Sequence, residues 1–148
     1  MLGDDDWGTP KTAWQAISKY IPKKLIWEPF YLDGKSGKYL EELGFDVIHE
    51  DLDFFTHDFG EIVVSNPPFS RKRAIVKRLV DMKKPFILLM PAAVLTTEYI
   101  RCVPDLQIIV PAKRIHFVKE GEQTSRCSFG CLYFCSRMGL ERNITFLD

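Results

Sequence analysis

Residues 61–90, EIVVSNPPFSRKRAIVKRLVDMKKPFILLM, decide the fold. Glu61-Ile62-Val63-Val64 is a short β-branched apolar run. It stops at Asn66-Pro67-Pro68, because prolines give no ladder donor and fix φ. From Arg71 to Met82 apolar residues recur at helical spacing among basic ones, which predicts a basic amphipathic helix. Pro85-Phe86-Ile87-Leu88-Leu89-Met90 is almost continuously apolar, the pattern of a strand buried on both faces of a parallel sheet. Strand, helix and strand in this order make a crossover unit, which is right-handed in nearly all proteins. It sets the functional loops at the carboxyl ends of the strands.

The same alternation extends in both directions. Upstream, PKTAWQAISKYI (10–21) places Ala13, Trp14, Ile17 and Ile21 on one helical face, with Thr9 as its N-cap and Pro10 in its first turn. Leu25-Ile26-Trp27 is a strand stopped by Glu28-Pro29, Ser36 to Leu43 a helix closed by Gly44, and Phe45-Asp46-Val47-Ile48 a second strand. Downstream, a helix is expected over Ala92 to Cys102 and strands over 106–110, 126–135 and 144–147. The expectation is one α/β domain over residues 1–148, built on a mainly parallel sheet.

Composition narrows the functional classes. The 148 residues are 46% hydrophobic and 27% charged, with 20 basic against 20 acidic side chains, an ordinary globular balance with no global basic field. No apolar run reaches the roughly 20 residues of a membrane span. The acidic start MLGDDDWGTP fits neither a secretory signal nor a transit peptide, so a soluble cytoplasmic or nuclear protein without membrane partners is expected. Four cysteines are too few for a disulfide scaffold. Cys127, Cys131 and Cys135 lack the paired spacing of a zinc site, and even spacing on a strand puts them on one face as small buried hydrophobes. His49, His57 and His116 show no ligand spacing, and no metal is expected.

Three segments carry chemistry. Asn66-Pro67-Pro68-Phe69 is a rigid turn at a strand's carboxyl end. It projects an amide and a ring, with carbonyls able to accept from an exocyclic amino group and an aromatic face able to stack on a base. Its plain alternative is a strand-ending turn. Glu28-Pro29-Phe30 through Gly34 and Gly37 is a strand, an acid, a glycine-containing loop and a helix start, the layout of nucleotide-type cofactor loops. Glu50, just past the second strand, stands where a carboxylate takes a ribose diol. A phosphate loop of the ATPase type is disfavoured, because Gly34-Lys35-Ser36 lacks its upstream glycine. Asp53-Phe54-Phe55 offers an acceptor and a ring for an adenine, or simply a capping Asp before two core aromatics. Arg71, Lys72 and Arg73, with Lys77 and Arg78 behind them, and Lys113-Arg114 with His116, Lys119 and Arg126, form basic clusters suited to phosphates or merely solvated.

Thr9-Pro10, Glu28-Pro29-Phe30 with Gly34, Glu50, Asp53-Phe54-Phe55 and Asn66-Pro67-Pro68-Phe69, in this order, resemble the class I S-adenosylmethionine-dependent methyltransferases. The resemblance is to the adenine-N6 group acting on nucleic acid and covers about the first 70 residues. It implies a Rossmann-like fold with helices on both sheet faces, and S-adenosylmethionine as cofactor. Thr9, Pro10, Glu28, Phe30, Gly34, Glu50, Asp53 and Phe54 would line the cofactor: Glu28, Phe30 and Gly34 at its methionine end, Glu50 at the ribose and Asp53 at the adenine. Asn66 and the Pro67 carbonyl would bind the target amino group in the turn that Pro68 rigidifies, with Phe69 stacking on the flipped base. Phe at this last position points to adenine in nucleic acid, DNA before RNA, whereas Tyr is shared with protein-glutamine methylation. Tyr31-Leu32-Asp33 departs from the family's small-residue turn. With no separate target-recognition domain in view, specificity would come from short loops, a second protomer or a partner subunit. The alternatives are a protein-glutamine methyltransferase or a catalytically silent nucleic-acid-binding subunit.

Overall fold

The computed structural model describes residues 7–32, 34–119 and 130–148, with only the backbone at Trp7, Val118 and Lys119. Asp33, Arg126, Cys127 and the first part of the strand expected over 126–135 lie outside the described residues. A seven-stranded mixed sheet and its helices give an α/β architecture.

The strands of this sheet are β2 (Ile26–Trp27), β3 (Val47–Ile48), β4 (Ile62–Ser65), β5 (Phe86–Pro91), β6 (Gln107–Val110), β8 (Cys131–Ser136) and β9 (Ile144–Phe146), in the order β3-β2-β4-β5-β8-β6-β9. All run one way except β8, which is antiparallel to both neighbours. From β2 the chain passes outward to β3 on one side and then returns to β4 on the other. That reversal is a switch point, where the connections on either side diverge and leave a crevice beyond the carboxyl ends of the strands.

Side chains alternate between two cores, as the pleat requires. Ile62, Val64, Ile87, Leu89, Cys131, Tyr133 and Cys135 face helices α1 (Lys11–Gln15) and α2 (Lys35–Glu42) through Trp14 and Leu40, with Ile17 just past α1 in the same core. Val63, Phe86, Leu88, Met90 and Phe134 face α3 (Lys72–Asp81) through Ile75, Val76 and Leu79. Cys131 and Cys135 therefore share one buried face, and burial pushes the Cys135 thiol up to about 12, the state of an inert core cysteine. The helix ends expected at Gly44 and Met82 fall within a residue or two of those observed.

Two helices differ from expectation. The segment 10–21 is helical only over α1, followed by a 3₁₀ turn at Ser18–Tyr20. The Ser18 hydroxyl donates to the Gln15 carbonyl (2.9 Å), a local bond that competes with the helix. Thr9 is not its N-cap: Pro10 is extended (φ −69, ψ 151) and takes that position without a side-chain cap, one residue later than expected. Residues 92–102 form two 3₁₀ turns, Ala92–Thr96 and Tyr99–Cys102, instead of one helix. Thr96 and Thr97 donate their hydroxyls to the Ala93 and Val94 carbonyls, and Thr97 is extended. A small antiparallel pair, β1 (Trp7–Gly8) with β7 (Val118–Lys119), was not legible, since two-residue strands carry no periodicity.

Candidate functional site

β2 and β4 lie side by side, Trp27 opposite Val63, so their carboxyl ends deliver Glu28 and Ser65-Asn66 to the switch point together. The Ser65 hydroxyl donates to Glu28 Oε1 at 2.6 Å, and the Phe30 N–H donates to the same oxygen at 2.9 Å. Glu28 is 2% exposed. Desolvation pushes its carboxyl up to about 8, with the two hydrogen bonds pulling only partly back. Burial thus favours its protonated form far above the usual carboxylate range.

Beyond Ser65 the chain enters the Asn66-Pro67-Pro68 turn. Pro68 is extended (φ −60, ψ 135), and Phe69–Arg71 form a 3₁₀ turn leading into α3. Asn66 Oδ1 is buried and has no hydrogen-bond partner. Among the described residues the other such side-chain atoms are His49 Nδ1 and Thr9 Oγ1. His49 follows the carboxyl end of β3, and Thr9 precedes α1, whose first residues border the loop leaving β6. Unsatisfied buried polar atoms are rare because each forfeits its hydration without return. Here they gather along the carboxyl edge of the sheet.

The loop after β2 is shaped by packing. Gly34 is left-handed (φ 78), and a Cβ there would lie 2.9 Å from the Tyr31 ring. A Cβ on Gly37 would lie 2.3 Å from His49, so only glycine lets α2 approach β3 this closely. Tyr31 stacks on His49 at 6.3 Å, while His49 Nε2 is 3.0 Å from Glu41 Oε1. Leu32, beside them, is held at φ 50, a conformation that costs a non-glycine residue strain. None of Tyr31, His49 and Ser65 stood out in the sequence as site residues. The one available clue was Ser65, a small polar residue ending an otherwise apolar strand.

The structure gathers the remaining site residues unevenly. Phe30 and Phe54 are in contact, with ring centroids 5.1 Å apart. Phe54 is 3% exposed and surrounded by Trp27, Phe30, Phe55 and the Arg78 guanidinium, a core position, leaving the half-buried Phe55 as the more accessible ring. Exposed Asp53 accepts the Phe55 N–H at 2.9 Å, a turn-capping bond. Glu50 is exposed just beyond β3. Arg78 donates to the Phe54 and His57 carbonyls, which commits it to the fold, and Lys77 pairs with Asp81 one helical turn on, both exposed. Nearer the turn, Arg71 lies 4.3 Å from the Phe55 ring centre, Lys72 lies 5.0 Å from that of Phe69, and Arg73 is exposed. Lys113 and Arg114 stand apart, on the exposed loop leaving β6.

No protein-family model matches the chain, and no curated protein or solved structure does. Among the described residues no helix is long and apolar enough to cross a membrane, and no cluster of His, Cys, Asp and Glu could hold a metal ion.

Proposed function

We propose that this chain is a Rossmann-like S-adenosylmethionine-dependent methyltransferase acting on the N6 amino group of adenine in nucleic acid, DNA before RNA. The observation that carries the reading is Asn66 Oδ1, a buried acceptor without a partner, in a rigid Pro-Pro turn beside the switch point. A buried carbonyl oxygen in that position is suited to an incoming N–H donor, and an exocyclic amino group supplies one.

The residues at the carboxyl edge fit the cofactor by their chemistry. Glu50 and Asp53 offer acceptor carboxylates matched to the ribose diol and the adenine amino group of S-adenosylmethionine, and Glu28 a carboxyl that its ammonium would draw into the ionised form. When bound, that cofactor supplies an electrophilic methyl group on a sulfonium. The chain's own part is positional and electrostatic. Asn66 Oδ1 and the Pro67 carbonyl accept the hydrogens of the target amine, orient its lone pair, and stabilise positive charge as it develops on nitrogen. Phe69 supplies a stacking face for the base, and Arg71, Lys72 and Arg73 a basic rim for its phosphates. Ser65 fixes the Glu28 carboxyl, coupling the cofactor loop to the Asn66 turn.

A second reading, a catalytically silent nucleic-acid-binding subunit, draws on the space over Gly34 and Gly37, which Tyr31 and His49 fill. The test is methyl transfer from labelled S-adenosylmethionine to single- and double-stranded DNA and RNA, followed by digestion to nucleosides and mass spectrometry. N6-methyladenine that disappears with Asn66→Ala supports the reading. Saturable cofactor binding with no methylated adenine in any pool overturns the nucleic-acid substrate, and absence of cofactor binding leaves the silent subunit.

A further inference from the structure

Away from the Asn66 turn, α1 and the loop leaving β6 enclose a groove of about 650 Å³, within the range of ligand-sized pockets. Its walls are of two kinds. Ala13 of α1, Ala16 at its C-cap, Ile115 and Leu147 form an apolar surface, and Lys19, Lys113 and Arg114 bring cations to it. Lys113 is exposed and forms no ion pair among the described residues, and Asp148 is the acidic side chain that shares the groove. Tyr133 of β8 lies beneath the groove, fully buried, its hydroxyl already donating to the Ala13 carbonyl at 2.6 Å. The groove lies beyond the carboxyl ends of β6 and β9, along the same edge of the sheet that carries Asn66 beyond β4.

We propose that this groove holds an unpaired nucleotide of the nucleic-acid strand being acted on, its base against the apolar wall and its phosphate at Lys19 and Lys113; the assignment rests on the nucleic-acid reading above. A nucleotide joins a flat, weakly hydrated face to an anion, and the groove presents the complementary pair of surfaces. A concave groove is reached by an unstacked nucleotide of a single strand more readily than by a base stacked and paired within a duplex. With the Tyr133 hydroxyl spent, the base is held by apolar contact with Ala13, Ala16, Ile115 and Leu147 more than by its edge, so binding is tolerant of sequence.

The test is a fluorescence-anisotropy titration of labelled single strands of about a dozen nucleotides, DNA and RNA, and of the matching duplex, against wild type and Lys19→Glu/Lys113→Glu. The expected result is tighter binding of single strands than of duplex and at least a tenfold loss in the double variant. Its salt dependence should also become shallower by about one to two in the log–log slope between roughly 50 and 200 mM salt. Lys19→Gln/Lys113→Gln, with circular dichroism to confirm folding, should show the same loss at smaller size. DNA and RNA arms that both respond support the groove, and the tighter arm identifies the source of the strand. Unchanged affinity and slope in both variants, or duplex bound as tightly as single strand, overturns it. The titration needs no methyl transfer, so a chain that transfers nothing yet loses strand binding in these variants keeps the groove and loses only the reaction.

Discussion

The two edges of the central sheet treat buried polar groups in opposite ways. At the amino edge they are saturated. Lys84 Nζ, ahead of β5, donates to the Phe59 and Gly60 carbonyls and pairs with Asp58 at 2.6 Å. Gln107 donates to the Leu140 and Arg142 carbonyls and accepts the Leu140 N–H. Ser136, where antiparallel β8 returns to this edge, donates to the Pro104 carbonyl. At the carboxyl edge Glu28 is buried with its acidity suppressed, and Asn66 and His49 keep buried atoms without partners. The amino edge is polar for the sake of the fold. The carboxyl edge carries desolvation that folding alone does not repay, the pattern of a surface completed by a ligand.

That contrast can be broken or sharpened by substitution. The largest effect is expected from Asn66→Ala: about a thousandfold loss of methyl transfer, with cofactor affinity little changed and the melting curve nearly that of wild type. Lys84→Ala should do the reverse. Leaving two carbonyls and Asp58 without their partner should cost about 2–3 kcal/mol in denaturant unfolding, while transfer per folded molecule is unaffected. If Lys84→Ala instead abolished transfer in a stable protein, the division between the edges would fail.

Glu28 gives a smaller effect with a definite sign. Its carboxyl titrates near 8 in the native protein and near 4.5 in the unfolded chain. The native state therefore holds the additional proton between those values, and stability should fall as pH rises from about 4.5 to 8. Glu28→Gln has no such proton to lose, so its unfolding free energy should be flatter across this window. At pH 8 it should exceed wild type by up to a few kcal/mol, at about 1.4 kcal/mol per pKa unit, while cofactor affinity drops at least tenfold. Unfolding curves at several pH values and calorimetric titration check the two halves separately. Ser65→Ala, which removes one hydrogen bond to the same carboxyl, should cost about 1 kcal/mol of cofactor binding and raise the pH at which Glu28 ionises.

Much of this architecture was legible in residue order. The apolar runs at 62–64 and 86–90 became buried strands because a parallel sheet covered on both faces demands continuous hydrophobicity. The Asn66 turn was legible because two prolines leave few backbone conformations. The Ser65–Glu28 bond was not, since it spans 37 positions and exists only through the register of β2 against β4. The division of the basic residues was hidden for a similar reason: Arg78 and Arg71 read alike in sequence, but only Arg78 meets two loop carbonyls, at Phe54 and His57. The broken helices at 16–18 and 96–97 turned on Ser and Thr hydroxyls bonding back to the main chain, a local competition that apolar spacing does not register.

The most direct test of the contrast between the edges is a map of backbone amide chemical shifts during titration with S-adenosylhomocysteine. Saturable shifts concentrated at 28–31, 48–55 and 65–70, with Lys84, Gln107 and Ser136 unmoved, are the expected result. Shifts centred on the amino edge, or none that saturate, would contradict the placement of function at the carboxyl ends of β2, β3 and β4.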